Sequence, residues 1–315
     1  MRYAVTGATG FVGGELARQL WKAGHHVLAL VRNPERAVGL QAELIAGDLQ
    51  DQAALDRLCK GVDGLFHVAG WYKLGDPHPE EAWRVNVEGT ANVLGAARRA
   101  DVPRLVYTST LAVNSDTRGQ VVDEGYHFEG RHLSVYDETK ARAHDLVDAQ
   151  ARSGLPVVVV QPGLVYGPAD TSQTGALTAE VLAGRRPLVP AGGQVCWGHV
   201  EDVARGHVLA MESGAVGEAY FLAGEPSSLA AALRRLAQLA SKPGPRVIPR
   251  VGIRLSEAMS DIAGRVVRLP ADYSAESLRA SQATYLGTAA KAERELGWSA
   301  RPLEEGLRAL VAATK

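Results

Sequence analysis

The stretch that most constrains what this chain can fold into lies at its start. Arg2-Tyr3-Ala4-Val5-Thr6 is an extended, half-apolar run that ends on a glycine, and Gly7-Ala8-Thr9-Gly10-Phe11-Val12-Gly13 repeats glycine at every third residue. A helical pattern follows, with Leu16, Leu20 and Trp21 on one face and Glu15, Arg18 and Gln19 elsewhere. The order is strand, glycine-rich turn, helix. Glycine permits the tight turn and lets the backbone approach a pyrophosphate, while the helix N-terminus supplies free N–H groups and the positive end of its dipole. Glycines recur in any turn, so it is the position between strand and helix that gives the triplet its weight.

The chain then alternates. His26-Val27-Leu28-Ala29-Leu30-Val31, Glu43-Leu44-Ile45-Ala46, Gly64-Leu65-Phe66-His67-Val68, Arg104-Leu105-Val106-Tyr107-Thr108-Ser109 and Val157-Val158-Val159-Val160-Gln161 read as buried strands. Helical patterns over 52–60, 80–100 and 136–153 separate the later ones. Continuous apolar strands between helices predict a parallel sheet covered on both faces, a doubly wound α/β fold of the Rossmann type. Trp71-Tyr72-Lys73 leads into a loop through Asp76-Pro77-His78-Pro79, and the polar, irregular stretch 114–134 reads as a loop over a site.

After Pro168 the alternation weakens: a helix at 174–184, an irregular stretch through Pro187 and Pro190, and a helix from His199-Val200-Glu201-Asp202 to 212. A last strand at 218–222, an amphipathic helix at 227–241, a short strand-like Arg246-Val247-Ile248 and two or three more helices complete the chain. The expected division is a dinucleotide-binding domain from 1–163 and 196–224, and a smaller, mostly helical substrate lobe from 164–195 and 225–315, with a cleft between.

Bulk properties exclude several classes. A net charge of −1 over 315 residues argues against binding nucleic acid by bulk charge. Cys59 and Cys196 belong to no ligand-spaced cluster, so neither a disulfide framework nor a metal site is expected. No apolar run is long enough to span a bilayer, and a strand beginning at residue 2 leaves no room for a signal peptide, so the expected location is cytoplasmic.

Tyr136 and Lys140, in Ser134-Val135-Tyr136-Asp137-Glu138-Thr139-Lys140, share one face of a helix. Free tyrosine has a pKa of about 10, and a neighbouring ammonium is expected to lower it toward useful acid–base chemistry. The spacing alone is common; it gains weight from the glycine turn upstream and the hydroxyl-bearing strand end Ser109-Thr110. The end of the second strand bears on the cofactor. An acid there grips a ribose 2′-hydroxyl and an arginine accommodates a 2′-phosphate; Val31 and Arg32 occupy that place.

With these residues in view, the sequence resembles the extended short-chain dehydrogenase/reductases of the NAD-dependent epimerase/dehydratase type. The resemblance rests on Thr6 to Gly13, Gly47-Asp48-Leu49, His67-Val68-Ala69-Gly70, Asn86-Val87-Glu88-Gly89-Thr90, Tyr107 to Thr110, Tyr136 to Lys140, Gln161 to Pro168, and His199 to Val203. Within that family it is most similar to dihydroflavonol-reductase-like reductases and hopanoid-associated sugar epimerases.

The resemblance implies Tyr136 as proton donor or acceptor, Lys140 as its tuner and ribose ligand, and Thr110 as the hydroxyl that holds the substrate oxygen. Gly7, Thr9, Gly10, Phe11, Val12, Gly13, Arg32, Asp48, Leu49, Ala69, Gly70, Thr108, Pro162, Gly163 and Val165 would bind the cofactor. Asp48 and Leu49 would flank the adenine, and Pro162 to Val165 the nicotinamide. Gln161 stands where the family usually has arginine. Trp71, Tyr72 and Tyr166, each just after a strand end, are candidates to stack on a substrate, with ordinary aromatic packing as the alternative. His199 and Arg185-Arg186 read more simply as a structural histidine and a solvated helix end.

The expected activity is reduction of a ketone or aldehyde with NADPH, NAD remaining possible. A nucleotide-sugar epimerase with tightly held NAD is the alternative, and a non-catalytic dinucleotide sensor a weaker one. Dehydratases of the family carry an acid pair after the catalytic threonine, where this chain has Leu111-Ala112. In relatives the helices equivalent to 80–100 and 136–153 often pair across a two-fold axis. A homodimer is therefore expected, with Val87, Val93, Leu94, Leu146 and Val147 serving either that interface or the sheet.

Overall fold

The computed structural model describes residues 1–72, 79–249 and 279–314. The loop through Asp76 to His78 and part of the helical tail lie outside them. Seven parallel strands form the central sheet: β1 (Arg2–Thr6), β2 (His26–Val31), β3 (Glu43–Ala46), β4 (Gly64–His67), β5 (Leu105–Thr108), β6 (Val157–Pro162) and β10 (Ala219–Leu222). Their spatial order is β10-β6-β5-β4-β1-β2-β3, so the winding reverses between β1 and β4. That switch point opens a crevice at the carboxyl ends of the strands, the usual place for a ligand in an open α/β sheet.

Two cores sandwich the sheet. On one face α1 (Phe11–Lys22) and α7 (Val200–Ser213) bury Leu16, Leu20, Val203 and Ala210 with Val5, Phe66 and Val160, and α9 (Ala290–Leu296) adds Ala292 and Leu296. On the other, α2 (Gln52–Cys59), α4 (Gly89–Arg99) and α5 (Val135–Arg152) bury Leu55, Leu58, Leu94 and Val147 with Leu28, Leu65 and Val159. Val93, Leu94 and Val147 are thus taken up by the sheet-side core, whereas Val87 and Leu146 stay partly exposed. The 80–100 pattern is one helical run with a π-turn, Trp83–Glu88, between α3 (Pro79–Ala82) and α4.

A third core defines the smaller lobe. There α6 (Gln173–Leu182), α8 (Leu229–Leu239) and α10 (Leu303–Ala313) pack around Tyr166, Val181, Trp197, Leu233, Leu236 and Leu307. The stretch expected to be irregular through Pro187 and Pro190 contains β8 (Leu188–Pro190), paired parallel with β12 (Arg246–Ile248). Similarly β9 (Val195–His199) lies between β7 (Leu164–Tyr166) and β11 (Glu225–Ser227). These strands of three to five residues are too short to show an alternating pattern. Arg301, ahead of α10, clamps Asp202 of α7 bidentately at 2.7 and 2.8 Å and reaches Glu201 at 3.0 Å, tying the smaller lobe to the sheet.

The segment 283–288 completes the cleft. Thr284 N–H and Oγ1 both donate to Asp116 Oδ1 at 2.9 Å, Val122 N–H donates to the Leu286 carbonyl at 3.2 Å, and Tyr285 N–H to that of Gln194 at 2.9 Å. Residues of the 115–122 loop are held by chain that follows them by some 168 positions.

Candidate active site

The glycine turn is built as its sequence implies. Gly7 has φ +75°, and a Cβ there would lie 2.7 Å from Ala69 N, so the turn presses onto the end of β4. A Cβ on Gly13 would lie 2.2 Å from the Gly7 carbonyl oxygen, which only glycine permits. The helix therefore starts directly against the strand. Its N-cap, Gly10, makes no side-chain cap and no acid occupies the first turn, so the leading amides of α1 are left for an anion. Thr9 and Gly10 are exposed at this mouth, with Phe11 and Val12 half-buried behind them.

Around the crevice the remaining cofactor candidates take their places. Arg32 is exposed at the end of β2, just past buried Val31, with no hydrogen bond or ion pair among the described residues. Asp48 accepts from Gln50 N–H at 2.8 Å, and Leu49 is buried beneath Gly89. Ala69 is half-buried and Gly70 exposed. A Cβ on Gly70 would lie 3.5 Å from Asn86 Oδ1 and 3.9 Å from Lys140 Nζ, so this glycine makes a bare shelf beside both. Pro162 is buried, with Gly163 and Val165 half-buried. Gly163 has a local reason to be glycine, since a Cβ would meet the Cys196 carbonyl oxygen at 2.2 Å.

Three consecutive hydroxyls at the end of β5 point three ways. His207 donates from Nδ1 to the Val203 carbonyl, so its Nε2 accepts from Thr108 Oγ1 at 2.8 Å, on the far face of the sheet. Ser109 Oγ pairs with His144 Nδ1 of α5 at 2.8 Å. Only Thr110 turns to Tyr136: its Oγ1 accepts from Ala112 N–H at 3.2 Å, and its hydroxyl bonds the Tyr136 phenol, stabilising the phenolate. Thr108 thus contributes through its carbonyl, which accepts from Lys140 Nζ at 2.8 Å, and its side chain does not face the cofactor cleft.

The expected lowering of the Tyr136 pKa is not what this geometry gives. Burial pushes it up to about 12, although the Thr110 bond works against the rise. Lys140 bonds the Thr108 carbonyl and, at 3.3 Å, Tyr107 Oη, and burial brings it down to about 7. Desolvation outweighs attraction here, and the lysine is the group brought near neutrality.

Of the remaining candidates, Tyr166 is the one that the structure corrects. Tyr166 is 2% exposed, packs edge-on against Trp197 and His199, and donates to the Leu303 carbonyl at 3.4 Å, which leaves no face for a substrate. Trp71 is half-buried and Tyr72 57% exposed, so neither is enclosed as Tyr166 is. His199 is buried and caps α7 through Glu201 N–H. Arg185 and Arg186 are exposed, Arg186 donating to the Gly244 carbonyl at 3.2 Å. Gln161 is buried and donates to the Thr110 carbonyl at 3.4 Å.

Several residues of the site carried no assigned role in the sequence. Asn86, set in the π-turn, accepts from Trp71 N–H at 2.7 Å and donates to the Trp71 carbonyl at 3.1 Å and Thr139 Oγ1 at 3.0 Å. It pins the strand-end loop to α5. Tyr285 donates to Asp137 Oδ2 at 3.0 Å, beside Tyr136. A cavity of about 910 Å³ flanks the other side of α5, lined by Asn114, Tyr126, His132, His144, Gln161 and Lys291 among others, but not by Thr110, Tyr136 or Lys140.

Comparison with known proteins agrees with this geometry. Residues 3–223 match the model of the NAD dependent epimerase/dehydratase family. The chain belongs to that family and is an NAD(P)-dependent oxidoreductase of the extended short-chain dehydrogenase/reductase type. It is 35% identical over 324 residues to the 4-hydroxy-2-methyl-3-oxo-4-farnesyl-3,4-dihydroquinoline-1-oxide ketoreductase of Stigmatella aurantiaca, covering 98% of this chain and 96% of that protein. It is 32% identical to the 2-alkyl-3-oxoalkanoate reductase of Stenotrophomonas maltophilia, covering 100% and 99%. The crystal structure of gox2253 superposes with a TM-score of 0.85 at 33% identity, covering 98% and 96%.

Proposed function

We propose that this protein reduces a ketone or aldehyde with NADPH. The observation that carries the reading is the convergence of Thr110, Tyr136 and Lys140 at the end of β5, beside the bare shelf at Gly70. The pyrophosphate would rest on Gly7, Thr9, Gly10, Phe11, Val12 and Gly13. Asp48 and Leu49 would flank the adenine, Ala69, Gly70 and Lys140 the ribose side, and Pro162, Gly163 and Val165 the nicotinamide. Exposed and unpaired among the described residues, Arg32 supports the phosphorylated form, because its guanidinium breaks no contact with them to meet a 2′-phosphate.

When bound, the nicotinamide supplies the hydride. Thr110 holds the substrate oxygen, its Oγ1 already oriented by Ala112 N–H. Tyr136 gives that oxygen its proton. Its high pKa keeps the phenol protonated at neutral pH, the state a reduction requires. Lys140 sits within the same helix face and replaces the proton. Orientation of the reacting atoms by these fixed groups accounts for much of the rate. The ketone reductions named for the two relatives make a ketone the first substrate to try.

The test is a panel of 2-alkyl-3-oxo acids, simple aldehydes and nucleotide sugars, incubated with NADPH or NADH and followed by nicotinamide absorbance. Stoichiometric NADPH oxidation with a carbonyl compound supports the proposal, and Tyr136→Phe should then lose about 10²-fold or more in kcat while still binding cofactor. Conversion of a nucleotide sugar to its epimer with no net cofactor consumption would overturn it in favour of the epimerase.

A further inference from the structure

The loop that follows β3 leaves the sheet at its edge. β3 pairs with β2 alone, and its residues are exposed or half-buried. Asp48 and Leu49 stand just past its end. The loop's own bonds are short-range: Gln50 N–H donates to Asp48 Oδ1 at 2.8 Å, and Asp51 N–H to the Asp48 carbonyl at 3.2 Å. A strand-end loop with little else to hold it opens more readily than the sheet it leaves. A seat for a flat, rigid base needs a backbone that is already fixed, because binding that must first order a loop is weakened by the cost of ordering it.

The brace comes from α4 and the π-turn ahead of it. Asn92 Nδ2 donates to the Leu49 carbonyl at 2.9 Å and to Gln50 Oε1 at 3.0 Å, and Gln50 Nε2 donates to the Arg84 carbonyl at 2.8 Å. These partners lie 34 to 43 positions beyond the loop. An amide NH2 has two protons, and each proton of Asn92 has its own acceptor. The orientation of both amides follows. Turning Asn92 over would set its oxygen against the Leu49 carbonyl, and turning Gln50 over would set its oxygen against that of Arg84. One arrangement satisfies every contact. The Arg84 carbonyl is used twice, since it also accepts from Gly89 N–H across the π-turn. Gly89 completes the fit: a Cβ there would lie 2.8 Å from Leu49 Cδ1 and 3.0 Å from Leu49 Cβ, so helix and loop meet where Leu49 is buried.

We infer that Asn92 and Gln50 are positioning residues for the adenine end of the cofactor, holding the Asp48-Leu49 backbone in place before a ligand arrives. The inference rests on the proposed seating of adenine against Asp48 and Leu49, and it adds the two side chains on which that seat depends. Among the described residues, their bonds run to the loop and the π-turn and not to Thr110, Tyr136 or Lys140. Losing them therefore affects one half of a dinucleotide and spares the other.

The experiment uses the full-length protein without substrate and has two arms. The first is amide hydrogen exchange followed by NMR with no ligand present. In Asn92→Ala the Gln50 and Asp51 amides should exchange about tenfold faster, while those of β1 and β2 keep their wild-type rates. The second is calorimetric titration with NADPH, adenosine 2′,5′-bisphosphate and reduced nicotinamide mononucleotide. Asn92→Ala should weaken the first two by about tenfold and leave the third as in the wild type. Asn92→Asp keeps the size of the side chain but removes both donors, so it should do at least as much damage, whereas a residue that only fills space would tolerate it. Gln50→Ala, which leaves α4 untouched, supplies both arms should the Asn92 variants not fold. Wild-type exchange in the loop, equal weakening of all three ligands, or an Asn92→Asp protein that binds NADPH like the wild type would overturn the inference. Faster loop exchange with unchanged affinity for both adenine-bearing ligands would overturn it differently, by removing adenine from this loop, which is a failure of the proposed seat and not of the brace.

Discussion

Gly13 and Gly14 are neighbours in one helix, yet they should respond oppositely to alanine. At Gly13 the added Cβ would sit 2.2 Å from the Gly7 carbonyl oxygen and 2.7 Å from its carbon, both backbone atoms that no side-chain rotation can move. Ordinary contact lies near 3.4 Å, so α1 and the turn must separate by roughly an ångström. Leu16, Ala17 and Leu20 of α1 are each at most 1% exposed, so such a shift opens the core beneath them. Overpacking of this kind costs about 1–3 kcal/mol, and in a chain of 315 residues about 2 kcal/mol lowers Tm by about 3 °C. The same movement displaces the leading amides of α1, and NADPH affinity should fall by about tenfold or more. At Gly14 the new Cβ would lie 3.3 Å from the Ala8 carbonyl oxygen, a contact that a few tenths of an ångström relieves. Helix propensity favours alanine there by about 1 kcal/mol, so Gly14→Ala should be near neutral. Differential scanning calorimetry and fluorescence titration with NADPH read both effects. A Gly13→Ala protein that binds NADPH like the wild type, or a Gly14→Ala protein equally damaged, would refute the reasoning.

Arg32→Ala should weaken NADPH by about 5- to 30-fold and leave NADH unchanged, the contact being discounted for its exposure; equal weakening of both in titrations would remove the phosphate clamp. His67 and His207 are held neutral in the fold, with pKa values brought by burial to about 3 and about 4. The unfolded chain binds the extra protons first, so stability is present above the ordinary histidine range and is lost as pH falls. At about pH 5 each histidine should cost about 2 kcal/mol, and calorimetry should show Tm declining between about pH 6.5 and about pH 5, with a shallower slope in His207→Gln. A homodimer built on the π-turn ahead of α4 and on α5 would use Val87 and Leu146, so light scattering should find a dimer that Leu146→Arg converts to monomer.

The doubly wound sheet was legible because its strands are buried on both faces and so read as unbroken apolar runs, as in Val157 to Val160. The short strands of the smaller lobe were not, because prolines at 187 and 190 mask the pairing of Leu188–Pro190. Tyr136 and Lys140 were legible because helix geometry alone puts positions four apart on one face. Their environment was not. Whether the tyrosine is drawn down by an ammonium or pushed up by burial depends on Lys140 facing Thr108 and Tyr107, residues of a strand some thirty positions earlier. Thr108, Ser109 and Thr110 are chemically alike in the sequence, and only the neighbours at His207, His144 and Tyr136 separate their roles.

The strap from Thr284 to Leu286 has a consequence for the life of the molecule. Asp116, Thr117 and Asp137 gain their bonds to Thr284 and Tyr285 when that late segment arrives. During synthesis the glycine turn, β1 to β6 and Tyr136 all leave the ribosome long before it. A nascent chain will therefore hold its nucleotide cradle well ahead of a finished mouth. Such distant pairings form slowly, and catalytic competence should be the last property the growing polypeptide acquires.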